Sequence, residues 1–299
     1  MVNPERYLDP AILSTVHGLE LRARLVVEGY LAGMHKSPYH GFSVEFAQHR
    51  EYTPGDDIKH VDWKVFARTE RYFLKQHEEE TNLVCWVLLD KSDSMRYSSG
   101  PLTKYEFACI VTAALSYLVL NQHDSIGLAT FDDRLRTCLK PSSRPSSLKE
   151  IVRALDAGIG SEKTNLGPIL HEFAERSHRR GLMLVVSDFF DDVPSLLSGL
   201  DHLRHHGHEV TLFHVLDGAE LDFPFQEPTL FRGLEQLPEL FADPLALRRG
   251  YLAQMEGFTS ALRDGCRQSN MDYVPLRTDA SLAKALSSFL ARRAKRKSG

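Results

Sequence analysis

From residue 82 onward the chain alternates short apolar runs with longer mixed segments. LVCWVLL (83–89) is continuously apolar and rich in strand formers, the pattern of a strand buried on both faces. A helix is predicted over about 104–122. Its uncharged stretch from Phe107 to His123 contains Thr112, Ser116, Asn121 and Gln122, so it reads as a buried helix rather than a membrane span. SIGLATF (125–131) predicts a second buried strand, and RLRTCLK (134–140) an edge strand. Helices over about 147–155 and 167–178, the strand GLMLVVSD (181–188), a helix over 193–205 and the strand HEVTLFHVL (208–216) follow. This alternation predicts an α/β fold with a doubly wound, mostly parallel sheet covered on both faces.

The remaining segments are less regular. Apolar residues at helical spacing predict a helix from Ile12 to Met34. Residues 35–80 are rich in His, Tyr, Arg and Asp, with extended pieces expected at Ser43–Phe46 and Arg71–Gln76. They show no core of their own. Residues 1–80 are therefore expected to form an N-terminal extension packing on a main domain of residues 81–299. Prolines between Asp217 and Pro244 predict a hairpin-like excursion. A helix near 245–268, a strand over 271–277 and a helix from Asp279 complete the prediction.

Composition narrows the setting. The formal net charge of −4 gives no basis for nucleic-acid binding, and the basic run from Arg292 to Lys297 reads as a solvated helix tail. Cys85, Cys109, Cys138 and Cys266 lie far apart, each within an apolar run, and are expected to be buried, reduced thiols. No signal-peptide pattern opens the chain and no segment reads as a membrane span, so a cytoplasmic protein is expected.

Ligands of doubly wound sheets bind outside the carboxyl ends of the strands. Two predicted strand ends here carry hard oxygen donors: Asp90, Ser92 and Ser94 after the first, and Ser187-Asp188 after GLMLVV. Thr164 precedes a helix between them. Such donors suit the near-octahedral oxygen shell of Mg²⁺. The alternative is that the two serines cap the following helix and Asp188 closes a strand. The order Asp-x-Ser-x-Ser, then Thr, then a strand-end Asp resembles the metal-ion-dependent adhesion site of von Willebrand factor A domains. That resemblance implies direct Mg²⁺ ligation, with Mn²⁺ as a substitute, by Ser92, Ser94 and Thr164. Asp90 and Asp188 would then act mainly through water, and an acidic side chain of a protein partner would complete the shell.

Gly41–Phe46, Arg50-Glu51-Tyr52, Pro54-Gly55-Asp56-Asp57, Val61-Asp62-Trp63 and Ala67-Arg68 form a distinctive string. It resembles a bacterial family called domain of unknown function number fifty-eight, and the likeness covers about residues 30–215. This implies a partnership with an AAA+ ATPase of the MoxR type. Asp56, Asp57 and Asp62 could form a turn and helix cap with Arg50 and Arg68 as ion partners, or a second interaction site for anions or carboxylates.

A non-enzymatic interaction module, an adaptor or substrate-recognition partner of that ATPase, is expected on these grounds. A metal-dependent phosphohydrolase using Asp90 as nucleophile is the alternative, but the general acid needed two residues on is replaced by Ser92. GIGSEKT (158–164) has Glu162 where a phosphate-binding loop has Gly, and no nucleophile-elbow motif occurs. His202, His205, His206 and His208 have metal-ligand spacing, but no carboxylate or thiolate stands at matching spacing. A helix end closed by Gly207, with histidines complementing its dipole, explains them more simply.

Overall fold

A computed structural model describes residues 18–34, 49–51, 73–75, 83–160, 164–234 and 239–282, with Leu286 and Phe289. The chain divides into two compact units, residues 37–82 and the remainder.

In the larger unit, six strands form one sheet: β3 (Val84–Asp90), β4 (Ser125–Phe131), β5 (Leu135–Ser142), β6 (Leu182–Ser187), β7 (Glu209–Leu216) and β10 (Asp272–Arg277). Their order is β10-β7-β6-β3-β4-β5. All neighbours are parallel except β4 and β5. The chain leaves β3 towards β4 on one side and later returns to place β6 on the other. The crevice between the carboxyl ends of β3 and β6 is therefore the topological switch point. Every residue of β3 and β6 is buried, as continuous apolar runs require at the centre of a covered sheet.

Helices cover both faces. Helix α1 (Leu19–Met34), α2 (Lys104–Asn121) and α3 (Ser147–Asp156) lie on one side, where Ala23, Val26 and Val27 join the core with Leu286 and Phe289. On the other side lie α4 (Leu166–Arg176), α5 (Val193–His205) and the long helix Pro244–Gln268. Helix α2 is buried on every side from Phe107 to Ser116, between the sheet and α1, which explains its lack of a polar stripe. Its start is fixed by a capping box between Thr103 and Glu106. No helix among the described residues is long and apolar enough to cross a membrane.

Edge strand β5 alternates half-buried and exposed positions because only one face is covered. Cys138 is consequently exposed, correcting the expectation that all four thiols are buried; Cys85, Cys109 and Cys266 are, and all four are free. Between β7 and the long helix, the excursion holds a short helix (Gly218–Asp222) and a hairpin of β8 (Thr229–Phe231) and β9 (Leu240–Ala242). The short helix was not anticipated, since five residues give no readable period.

In the smaller unit, β1 (His49–Glu51) pairs antiparallel with β2 (Phe73–Lys75), Arg50 opposite Leu74. The extended piece expected at Arg71–Gln76 contains β2; the one expected at Ser43–Phe46 lies outside the described residues.

Helices α4 and α5 approach so closely that their backbones touch. A methyl group on Gly199 would stand 2.8 Å from the Gly167 carbonyl oxygen and 2.9 Å from Leu170 Cβ. Gly199→Ala is expected to lower stability by roughly 1–3 kcal/mol, the cost of overpacking outweighing the helix-propensity gain. Gly257→Ala, at an exposed helical position with nothing within 4 Å, should instead raise stability by about 0.5–1 kcal/mol. Urea unfolding of the two variants checks the opposite signs.

Candidate metal centre

Strand β3 ends on Asp90, whose side chain has no solvent exposure. One oxygen accepts a hydrogen bond from the Ser92 amide at 2.8 Å, the other from the Ser187 hydroxyl at 2.5 Å. The loop then enters a single 3-10 turn, Asp93–Arg96, with Ser92 at its cap position. The Ser92 side chain makes no capping bond there; its hydroxyl lies 3.0 Å from that of Ser94, and both residues are buried. The helix-capping explanation of this serine is thus not realised.

Thr164 arrives from the other side of the switch point, its hydroxyl 3.4 Å from both Asp90 oxygens. Its loop is tied to the strand end: the Gly160 amide donates to the Lys91 carbonyl at 2.7 Å, and Arg96 donates to the Gly160 carbonyl at 2.7 Å. A side chain on Gly160 would collide with Asp132 at 2.6 Å, so this approach requires glycine. Asp188 completes the set immediately after β6. The next residue, Phe189, adopts φ +55 with its ring fully buried, a left-handed turn that bulky L residues rarely make. Asp90, Ser92, Ser94, Thr164 and Asp188 are thus brought to one place.

Does this set fit a metal ion? Neighbouring ligands of an octahedral Mg²⁺, each about 2.1 Å from the ion, stand about 3.0 Å apart. The Ser92–Ser94 oxygen separation matches that edge, and every donor is a hard oxygen. Burial, and secondarily the charge of Asp188, raises the Asp90 carboxyl from an ordinary 3.8 to about 7. A cation placed beside it would relieve both penalties. The residues fit the ion.

Two participants were not anticipated. Lys104, the first residue of α2, is completely buried, and its ammonium lies 2.7 Å from Asp188 and 2.7 Å from Glu220. Burial alone would lower the Lys104 pKa, but the two carboxylates outweigh it and hold it above the ordinary lysine value. Glu220 sits on the short helix after β7, where its other oxygen closes a capping box by accepting from the Asp217 amide. A signal for Lys104 did exist: a lysine in the first turn of a helix opposes the dipole, which points to a compensating carboxylate elsewhere.

Of the second group, Arg50 lies on β1, and Asp56, Asp57, Asp62 and Arg68 lie outside the described residues.

A doubly wound sheet with these five residues converging at its switch point defines a von Willebrand factor A-like domain. The chain belongs to the family described as protein of unknown function DUF58, whose model matches residues 48–256. Uncharacterized protein Rv1480 of Mycobacterium tuberculosis is 24% identical over 291 residues, covering 95% of this chain and 90% of that protein. Uncharacterized protein Mb1516 of Mycobacterium bovis matches to the same extent. Among solved structures, the conserved hypothetical protein BatB from Bacteroides thetaiotaomicron shares 17% identity over 71% of this chain and 99% of that one, with a TM-score of 0.48. The SpRpn10 VWA domain shares 12% over 69% and 94%, with a TM-score of 0.41. The fold assignment rests on the sheet order and helix layers described above.

The raised Asp90 carboxyl has a consequence for stability. The folded chain keeps a proton that the unfolded chain releases above pH 3.8. In chelator, this group therefore costs stability increasingly from about pH 4 to about pH 7, and by a constant amount above. Asp90→Asn carries no such cost. Its stability relative to wild type, measured by urea unfolding in chelator, should rise across that window and level off near neutrality.

Proposed function

We propose that this protein is a non-enzymatic interaction module that grips an acidic side chain of a protein partner through Mg²⁺ held at the end of β3. The observation that carries the reading is the pair of buried serine hydroxyls 3.0 Å apart beside the Asp90 carboxylate, at the switch point of the sheet. Ser92, Ser94 and Thr164 would bind the ion directly. Asp90, already accepting two hydrogen bonds, would act through water. Asp188 would do the same, because its carboxylate is engaged by Lys104.

When bound, the ion supplies a Lewis-acidic position open to one further oxygen. The chain's own residues set its charge. Asp90, Asp188 and Glu220 contribute three carboxylates and Lys104 one ammonium, an excess of two negative charges when all are ionised. A dication balances that excess, so an incoming carboxylate meets a locally neutral site rather than a repulsive one. The partner proposed with this reading is an AAA+ ATPase of the MoxR type, as the sequence resemblance suggests, with the module acting as its adaptor or substrate-recognition subunit.

A phosphohydrolase would need a proton donor at position 92. The hydroxyl there lies against that of Ser94, and no observation favours that chemistry.

Calorimetry with Mg²⁺ on the full chain tests the metal. One equivalent should bind, more tightly at about pH 8 than at about pH 6 because protons and metal compete for the Asp90 environment. Ser92→Ala with Ser94→Ala should lower the affinity at least ~10-fold and cancel the thermal stabilisation that Mg²⁺ gives. Co-purification with a purified MoxR-type ATPase should require Mg²⁺ and fail in the double variant. Capture that survives both chelator and the double variant would remove the metal from the interaction. Phosphoester turnover lost in Asp90→Asn would overturn the non-enzymatic reading.

A further inference from the structure

The histidines near the end of α5 acquire in three dimensions the carboxylate that their local sequence lacks. Glu175, near the end of α4, places a carboxylate oxygen 3.2 Å from His202 Nε2 and 3.8 Å from His206 Nε2. One potential ligand atom from each of the three lies within 4.8 Å of the others. Around a tetrahedral Zn²⁺, with bonds of about 2.0–2.1 Å, ligand atoms stand about 3.3 Å apart. These two separations are close to that edge, and the histidine–histidine one is at most 4.8 Å. His206, which caps the end of α5, follows His202 by one turn, and the two rings lie side by side with centroids 4.8 Å apart.

A fourth residue orients the second. His171 stands one turn before Glu175 on α4, and its Nδ1 lies 2.8 Å from Nδ1 of His202. Two ring nitrogens at that distance require one to carry a proton and the other a lone pair. With the proton on His202 Nδ1, the lone pair of His202 Nε2 faces the Glu175 carboxylate. A cation between those two atoms at 3.2 Å would satisfy both. With the proton on His171 Nδ1 instead, His202 Nε2–H donates to Glu175, and metal titration separates the two arrangements. A ligating histidine whose second nitrogen donates to a neighbouring acceptor is the usual support of a metal site. The helix dipole accounts for cationic histidines at this helix end, but not for the facing pairs His171/Glu175 and His202/His206 on two helices.

We propose that Glu175, His202 and His206 form a site for one divalent transition-metal ion of the Zn²⁺ class, with His171 as a positioning residue and water in the fourth place. Imidazole nitrogens favour such ions over Mg²⁺. Helices α4 and α5 run back from the carboxyl edge of the sheet, so their ends lie at the opposite edge from Asp90. The two sites are separate in place and in chemistry: one hard and all-oxygen, the other nitrogen-rich. An ion here would pin the ends of α4 and α5 together, as the glycine contact holds the start of α4 against the middle of α5.

Competition against a chromophoric chelator, using the full chain in millimolar Mg²⁺ to occupy the oxygen site, tests this. One equivalent of Zn²⁺ should bind, and His202→Ala or Glu175→Gln should each weaken it at least ~10-fold. His171→Phe should weaken binding while leaving one equivalent and the absorption of a four-coordinate Co²⁺ complex. His205→Ala is the control, because its Nδ1 is held at the Asp201 carbonyl at 2.7 Å, and Zn²⁺ affinity should be unchanged. Circular dichroism confirms that these surface variants fold. Wild type binding Zn²⁺ no better than a His202→Ala/His206→Ala variant would show a proton-shared network instead of a metal site. An equal loss in His205→Ala would show diffuse histidine binding. Either result overturns the proposal.

Discussion

One ammonium group with no access to water organises the carboxyl edge of this sheet. Lys104 is held by Asp188, just past the end of β6, and by Glu220 from the segment after β7, so a single charge joins α2, the sheet's carboxyl edge and the excursion. A buried ion of this kind is tolerated only with complete pairing, and removing one partner typically costs about 3–5 kcal/mol. The pairing also decides what the site can be. Lys104 offsets one of three nearby carboxylates, and Asp90, the least solvated, is left to resist ionisation until near neutrality. The pocket is therefore biased towards cations by its own electrostatics, apart from any likeness to other proteins.

Most of the larger unit was legible in the sequence because its strands are central and its helices long. Runs such as SIGLATF and LMLVVS are buried on both faces, so their hydrophobicity is continuous and their limits are sharp. Asp90, Ser92, Ser94 and Asp188 were legible as candidates because they stand just beyond two strand ends, and Thr164 because it precedes a helix between them; the topology brings all five to one crevice. Lys104 and Glu220 were not legible as site members because their meeting is a tertiary event between residues 116 positions apart. Glu175 escaped notice beside the histidines for the same reason: side-by-side helices make neighbours that no local spacing predicts. Cys138 was expected to be buried even though its run was read as an edge strand; such a strand hides only one face, and Cys138 lies on the other.

The helix pair α4 and α5 shows how a backbone contact sets chemistry at a distance. Gly167 and Gly199 let the helices meet without intervening side chains. From there the two helices run side by side, and residues one turn apart on each come to face one another in register. Thr164 and Asp188 precede these helices at one end of the pair; the histidine and glutamate side chains lie at the other. The same close packing thus bears on both ends of the sheet.

Glu220 serves two masters with its two oxygens. One closes the cap of a five-residue helix, and the other holds the Lys104 ammonium. So short a helix has almost no stability of its own; its persistence depends on that cap. Unwinding it would withdraw an acceptor from Lys104 and leave Asp188 as that ammonium's remaining carboxylate contact. The excursion after β7 is in this sense an electrical lever: a change of shape in the loop would alter the potential at the strand-end carboxylates through the Lys104 ammonium they share.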